Sequence, residues 1–92
     1  MRVLVVEDEE IMGEALMIGL RRSGYAVDLV TEGAAALEQA TINHYDVILL
    51  DRDLPVVHGD EVCEALVRER VPARILMLTA ASSSAKANGL GR

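Results

Sequence analysis

The sequence predicts a single α/β domain in which helices cover both faces of a parallel β-sheet. Short aliphatic runs alternate with longer segments of helical periodicity along the whole chain. The aliphatic runs are apolar at nearly every position, which is typical of strands that are buried on both faces. The length of 92 residues allows one domain. Strands separated by helices are joined by right-handed crossovers and therefore run parallel.

The first half of the chain predicts two strands and two helices. Arg2–Val6 is a short β-branched run and predicts a strand. Glu9–Arg22 has apolar residues at helical spacing, acids in its first turn and arginines in its last, as the helix dipole favours, and Gly24 ends this helix. Tyr25–Val30 predicts a weaker strand near the edge of the sheet, because an aspartate interrupts it. Glu32–Thr41 is rich in alanine and predicts the second helix.

The second half repeats this alternation. Val47–Leu50 predicts the strongest strand of the chain and leads into a loop that contains a proline and a glycine. Asp60–Arg70 predicts an amphipathic helix, which Pro72 separates from a fourth strand at Arg74–Leu78. The composition then changes to Ser, Ala and Gly. We therefore expect a domain core over residues 1–81 and a short or disordered tail over residues 82–92.

Composition and charge exclude several classes of function. A formal net charge of -6 argues against nucleic-acid binding by this chain, because phosphate contacts need clustered Lys and Arg. Cys63 is the one cysteine, so no disulfide forms within the chain, and the cytoplasm is the expected compartment. No apolar stretch approaches the roughly 20 residues that span a bilayer, so we expect no membrane segment.

Polar side chains follow three of the predicted strands. Glu7 and Asp8 end the first, Asp51 ends the third, and Thr79 ends the fourth. Strand ends of an open α/β sheet form its ligand-binding edge, and carboxylates gathered there need a cation between them. We predict Mg²⁺ held by Glu7 and Asp8, Asp51 as a nucleophile towards phosphorus, and the Thr79 hydroxyl near a phosphoryl oxygen. A single acid after a strand is usually a solvated turn residue; the combination favours a site.

The chain resembles the receiver domain of two-component response regulators, of the type that precedes a winged-helix DNA-binding domain. The resemblance covers residues 1 to about 81. It rests on four spaced motifs, which are Val3-Leu4-Val5-Val6-Glu7-Asp8-Glu9, Asp46-Val47-Ile48-Leu49-Leu50-Asp51, Leu54-Pro55 with Gly59, and Ile75-Leu76-Met77-Leu78-Thr79-Ala80.

The resemblance implies a fold, a site and a partner. The fold would be flavodoxin-like. Asp51 would be the phosphoacceptor, Glu7 and Asp8 would be the Mg²⁺ acids, Asp53 would give its backbone carbonyl to the metal, and Thr79 would be the switch hydroxyl. A histidine kinase would be the partner and phosphoryl donor. The chain would then be a signalling protein of transcription regulation and not an enzyme.

The sequence departs from the receiver pattern at its C-terminal end. The family's fifth strand, fifth helix and strand-five lysine have no counterpart, because Lys86 follows Thr79 too closely and lies in the Ser/Ala/Gly tail. We therefore expect a shortened sheet of order 2-1-3-4. Its fourth strand would have an exposed apolar edge, and exposed edges recruit other chains. We expect self-association as a two-fold dimer or a swapped arrangement.

Two other functions stay open at this point. Asp51-Arg52-Asp53 also resembles the D-x-D motif of haloacid-dehalogenase phosphatases, in which Asp51 would be the nucleophile and Asp53 the general acid. That reading leaves Glu7 and Asp8 unexplained. A third possibility is an interaction module that keeps the receiver surface, dimerises and is not phosphorylated.

Overall fold

A computed structural model describes residues 1–54 and 56–78 of the chain. These residues form four strands and three helices in strict alternation. The elements are β1 (Arg2–Val6), α1 (Glu10–Arg22), β2 (Ala26–Val30), α2 (Gly33–Ile42), β3 (Val47–Asp51), α3 (Gly59–Arg68) and β4 (Arg74–Leu78). The predictions for Thr79 and for the tail over residues 82–92 lie outside the described residues.

The four strands form one parallel sheet in the order β2-β1-β3-β4. Val5 of β1 is aligned with Leu29 of β2 on one side and with Leu49 of β3 on the other. The predicted α/β class and the strand order 2-1-3-4 are confirmed. The strand that carries Asp28 lies at an edge of the sheet, as its interrupted apolar pattern predicted.

The side chains of β1 explain why its apolar run is continuous. Successive side chains of a strand point to opposite faces. Leu4 and Val6 belong to the larger core cluster, with residues of α2 and α3, whereas Val3 and Val5 belong to the cluster that also contains residues of α1 and β2. All four are almost fully buried. Burial on both faces therefore removes the polar alternation that a half-exposed strand would show.

The third helix ends two residues earlier than its sequence predicts. The periodicity predicted a helix to Arg70, but α3 ends at Arg68 and Arg70 has a φ of 56°. This left-handed residue reverses the chain, so that the Val71 N–H donates to the Leu66 carbonyl oxygen at 3.1 Å. The bond closes the helix in the manner of a left-handed C-terminal cap. A reversal at an arginine has no clear local sequence signal, which is why the prediction missed it.

A polar network near the start of the strands accounts for Asp28 within β2. The buried Tyr45 hydroxyl donates to Asp28 Oδ2 at 2.6 Å, and Arg2 Nη2 donates to the same oxygen at 3.0 Å. The hydrogen bond from Tyr45, together with Arg2, lowers the pKa of Asp28. Burial, followed by the hydrogen bond to Asp28, raises the pKa of Tyr45 to about 12. The network thus provides the buried Tyr45 hydroxyl with a charged hydrogen-bond acceptor, the Asp28 carboxylate.

The length and hydropathy of the described helices bear on the prediction that the chain has no membrane segment. None of the helices found in residues 1–54 and 56–78 combines the length and the apolar character that crossing a bilayer requires.

Candidate functional site

The pairing of β1 with β3 brings acids from distant parts of the chain together. Val6 is aligned with Leu50 in this pair, so the next residues, Glu7 and Asp51, lie side by side at the carboxyl edge of the sheet. Asp8 follows directly. One carboxylate oxygen from each of Glu7, Asp8 and Asp51 lies within 4.8 Å of the other two. We call these three residues the acidic cluster.

The members of the acidic cluster differ in exposure and in hydrogen bonding. Glu7 is 7% exposed, Asp51 is half-buried and Asp8 is exposed. The Glu9 N–H donates to Glu7 Oε2 at 3.1 Å, and the Asp53 N–H donates to Asp51 Oδ1 at 3.0 Å. The two inner carboxylates are thereby oriented by the backbone, while Asp8 leaves the cluster open to solvent.

The electrostatics of the cluster favour an added positive charge. Burial raises the pKa of Glu7 to about 7, and the neighbouring carboxylates of Asp51 and Asp8 raise it too, against the opposing hydrogen bond from the Glu9 N–H. The salt bridges among the described residues join Arg2 to Asp28 and Arg52 to Asp60, outside the cluster. Ionising all three acids together is therefore costly without a cation.

The donor set of the cluster fits a hard divalent cation. Three carboxylate oxygens lie close enough to share one ion, and the exposed side at Asp8 leaves room for water or phosphate ligands. The set contains no sulfur or nitrogen ligand, which softer metals prefer.

A backbone hydrogen bond holds the loop that follows Asp51 close to the end of β3. The Gly59 N–H donates to the Arg52 carbonyl oxygen at 2.9 Å. A Cβ at Gly59 would collide with the Asp51 carbonyl oxygen and with the backbone of Arg52, so only glycine permits this approach. The Arg52 side chain pairs with Asp60 at 3.3 Å rather than with the cluster.

The structure brings together some of the site residues predicted from the sequence and does not describe others. Glu7, Asp8 and Asp51 lie together, and the Asp53 backbone lies next to Asp51 through its N–H. The metal-binding role of the Asp53 carbonyl stays a prediction, and Thr79 lies outside the described residues. The sequence reasoning missed Gly13, which lets α1 pack closely on Leu29 beside the cluster: a Cβ there would be 3.1 Å from a Leu29 methyl, and it would be in ordinary contact with the Glu7 Cβ at 3.7 Å. A glycine inside a helical pattern was the available signal.

Comparison with known proteins identifies the class of this domain. A family model described as the response regulator receiver domain matches residues 3–90. The chain belongs to the response regulator receiver domain family. The match includes both Glu7-Asp8 and Asp51, and it does not favour the phosphatase alternative.

Two curated relatives show the kind of protein in which such a domain occurs. The chain is 60% identical over 80 residues to the transcriptional regulatory protein CutR of Streptomyces coelicolor, an alignment that covers 87% of this chain and 37% of CutR. It is 43% identical over 79 residues to the alkaline phosphatase synthesis transcriptional regulatory protein PhoP of Bacillus subtilis, covering 86% of this chain and 33% of PhoP. The chain thus spans about a third of the length of these relatives.

Solved structures of receiver proteins have the same fold. The response regulator TrrA of Thermotoga maritima, solved in complex with Mg²⁺-BeF, gives a TM-score of 0.82 at 33% identity over 95% of this chain and 75% of that chain. TrrA in a complex with the histidine kinase ThkA gives a TM-score of 0.80 at 35% identity over 86% of this chain and 68% of that chain.

Proposed function

We propose that this receiver domain accepts a phosphoryl group on Asp51 from a histidine kinase, with Mg²⁺ as cofactor. The observation that carries the proposal is the acidic cluster, in which oxygens of Glu7, Asp8 and Asp51 lie within 4.8 Å of one another at the carboxyl edge of the sheet. The similarity to TrrA, which has been solved both with Mg²⁺-BeF and with a histidine kinase, supports the cofactor and the partner.

The proposed chemistry is one stoichiometric transfer. A carboxylate oxygen of Asp51 attacks the phosphorus of a phosphohistidine, so an O–P bond forms while the N–P bond breaks. The leaving imidazole keeps the electron pair of that bond and takes a proton from water. The Asp53 N–H holds Asp51 Oδ1 in place. The product is a phosphorylated receiver, and we therefore propose a signalling role rather than enzymatic turnover.

The residues that would hold the metal are the acidic cluster and the backbone carbonyl of Asp53. When bound there, Mg²⁺ supplies positive charge beside the transferring phosphoryl group, which is the main electrostatic need of such reactions. Thr79 follows β4 directly, and we propose its hydroxyl as the group that responds to the phosphorylated Asp51.

The similarity to transcriptional regulators bears on which part of such a protein binds DNA. The chain covers 37% of CutR, and we propose that DNA binding belongs to a separate effector domain of such proteins. The net charge of -6 supports the absence of direct nucleic-acid binding by this chain. We place the protein in the cytoplasm, in keeping with its single cysteine and with a kinase as the donor.

The intact mass after treatment with acetyl phosphate and Mg²⁺ tests the proposal. The parent chain is expected to gain the mass of one phosphoryl group, and Asp51→Asn is expected to gain none. Asp53→Asn is the matched control: this variant removes the general acid that a phosphatase would need, and it is expected to be labelled like the parent. Steady release of phosphate from an ester, dependent on Asp53, would contradict the proposal.

We also propose that β4 mediates self-association. Within residues 1–54 and 56–78 this strand lies at one end of the sheet order, and its Leu76 and Leu78 side chains are 48% and 36% exposed. Exposed apolar strand edges favour pairing with a second copy. Light scattering coupled to gel filtration tests the idea by comparing the parent with Leu76→Lys, which places a charge on this surface. A parent that stays monomeric at high concentration would contradict it.

A further inference from the structure

A groove of about 320 Å³ lies at the surface between α2 and α3. Its apolar walls are formed by Leu37 of α2, by Ala65 and Leu66 of α3, and by Val71, which follows α3. Leu66 is almost fully buried in the larger core cluster, whereas Leu37 and Val71 are half-buried. A ligand in this groove would therefore cover apolar surface that folding leaves accessible to water.

Two carboxylates line the same groove from different helices. Glu38 belongs to α2, and Glu69 is the C-cap residue of α3. Both side chains are exposed, and the salt bridges found among the described residues involve neither of them. The groove thus combines apolar walls with two negative charges that no described side chain neutralises through a salt bridge.

The ends of the helices add to the negative potential of the groove. The C-terminal end of a helix carries a partial negative charge, which nearby cations stabilise. The last turn of α3 contains Arg68, but the last turn of α2 contains no basic residue. The net charge of the chain is -6. The groove is therefore suited to a ligand that brings positive charge.

These features define the chemistry of a ligand for the groove. The two carboxylates would repel an anion, and a neutral apolar molecule would displace water from them without offering a charge in return. A monoamine would pair with one carboxylate only. An alkyl diamine has two ammonium groups joined by a methylene chain, so its ends can pair with Glu38 and Glu69 while the chain covers the apolar walls.

We infer that the groove between α2 and α3 binds a free alkyl diamine, with one ammonium group at Glu38, the other at Glu69 and the methylene chain against Leu37 and Ala65. The last turns of α2 and α3 precede β3 and β4, so the groove lies towards the amino ends of these strands. The acidic cluster lies at the carboxyl edge of the sheet, so the two sites are separate. The inference does not depend on phosphoryl transfer to Asp51.

An NMR titration of the isotope-labelled chain tests the binding. The ligands are trimethylenediamine, cadaverine and octamethylenediamine at constant ionic strength, together with the monoamine that matches the chain length of the best diamine. We expect saturable shifts of the amide signals of Leu37, Ala65 and Val71, with a Kd on the order of millimolar. The best diamine is expected to bind about fivefold more tightly than its monoamine, because it forms one more ion pair.

Three variants separate the charges from the shape of the groove. Glu38→Gln combined with Glu69→Gln is expected to weaken binding of the best diamine about tenfold, because both ion pairs are lost. Ala65→Met keeps the charges and fills the groove, so we expect the saturable shifts to disappear. Glu14→Gln combined with Glu64→Gln is the matched control. It removes two exposed acids outside the groove and is expected to keep the parent affinity.

Four outcomes would overturn the inference. Equal weakening in the control pair would show that the diamine responds only to the net charge of the chain. Equal affinity for the diamine and its monoamine would remove the bridge between the two carboxylates. Shifts confined to the acidic cluster would place the ligand elsewhere, and the absence of saturable shifts with all three diamines would show that the groove does not bind this class of ligand.

Discussion

The burial and the pKa of Glu7 depend on the residues that surround it. Its place after an apolar run identified it as a candidate ligand, but its burial to 7% exposure depends on the folded chain around it, and its pKa is raised by that burial and by the carboxylates of Asp51 and Asp8. Sequence reasoning could therefore name the acid but not its environment.

Removal of the exposed ligand tests the cation site with little risk to the fold. In the parent, Mg²⁺ at one hundred times its Kd is expected to raise the free energy of unfolding by about 2.7 kcal/mol. Asp8→Asn should lose most of this effect, because the cation loses one of three carboxylates. Thermal unfolding with and without Mg²⁺ measures the difference. Glu10→Gln, an exposed acid outside the cluster, is the control; equal Mg²⁺ effects in parent and Asp8→Asn would count against the site.

The burial of Tyr45 and its hydrogen bond to Asp28 predict that the stability of the fold depends on pH in the alkaline range. The folded-state pKa of Tyr45, about 12, lies above its ordinary value of 10.0. The stability that this difference contributes is present below pH 10.0 and is lost as the pH rises through about 12. Tyr45→Phe is expected to lower the free energy of unfolding by about 1 kcal/mol at neutral pH and to flatten the alkaline decline.

Denaturant unfolding at pH values from neutral to alkaline measures this effect. Tyr25→Phe, which leaves Tyr45 in place, is expected to keep the decline of the parent. An alkaline decline of the same steepness in Tyr45→Phe would show that another group causes it.

At the scale of elements, the strands were easier to predict than the end of a helix. The apolar run of β1 has one physical cause, burial on both faces, and that cause is visible in the sequence. The end of α3 depends on Arg70, whose backbone is in the left-handed region. Because arginine seldom adopts this conformation, the residue type does not indicate where the helix ends. The sequence therefore predicted the existence and order of the elements better than their limits.

A large-to-small change in β1 tests its central position in the core. Leu4 is completely buried in the larger cluster. Leu4→Ala is expected to lower the free energy of unfolding by about 3 kcal/mol, through lost transfer energy and the cavity that remains. Ile11→Ala, at an 81% exposed position of α1, should change it by less than about 0.5 kcal/mol. Denaturant titration measures both, and similar losses would contradict the assignment of Leu4 to the core.

At the scale of the whole molecule, the site exists because the sheet order makes β1 and β3 neighbours. Glu7 and Asp51 are separated by more than forty residues in the sequence, and the parallel register places them side by side. The alternation of strands and helices predicted a common edge for these acids, but the sheet order came from the resemblance to receivers. The distances within the cluster and the orientation of Arg52 towards Asp60 depend on side-chain packing.

The central claim is that the acidic cluster forms a cation-dependent phosphoryl-accepting site at Asp51. The most direct test is the rate of labelling by acetyl phosphate, measured with saturating Mg²⁺ and with a chelator, followed by mapping of the modified residue by mass spectrometry. We expect rapid labelling with Mg²⁺, a rate lower by at least about a hundredfold with the chelator, and one modified residue, Asp51. Labelling that is independent of divalent cations, or a phosphoryl group on another residue, would contradict this account.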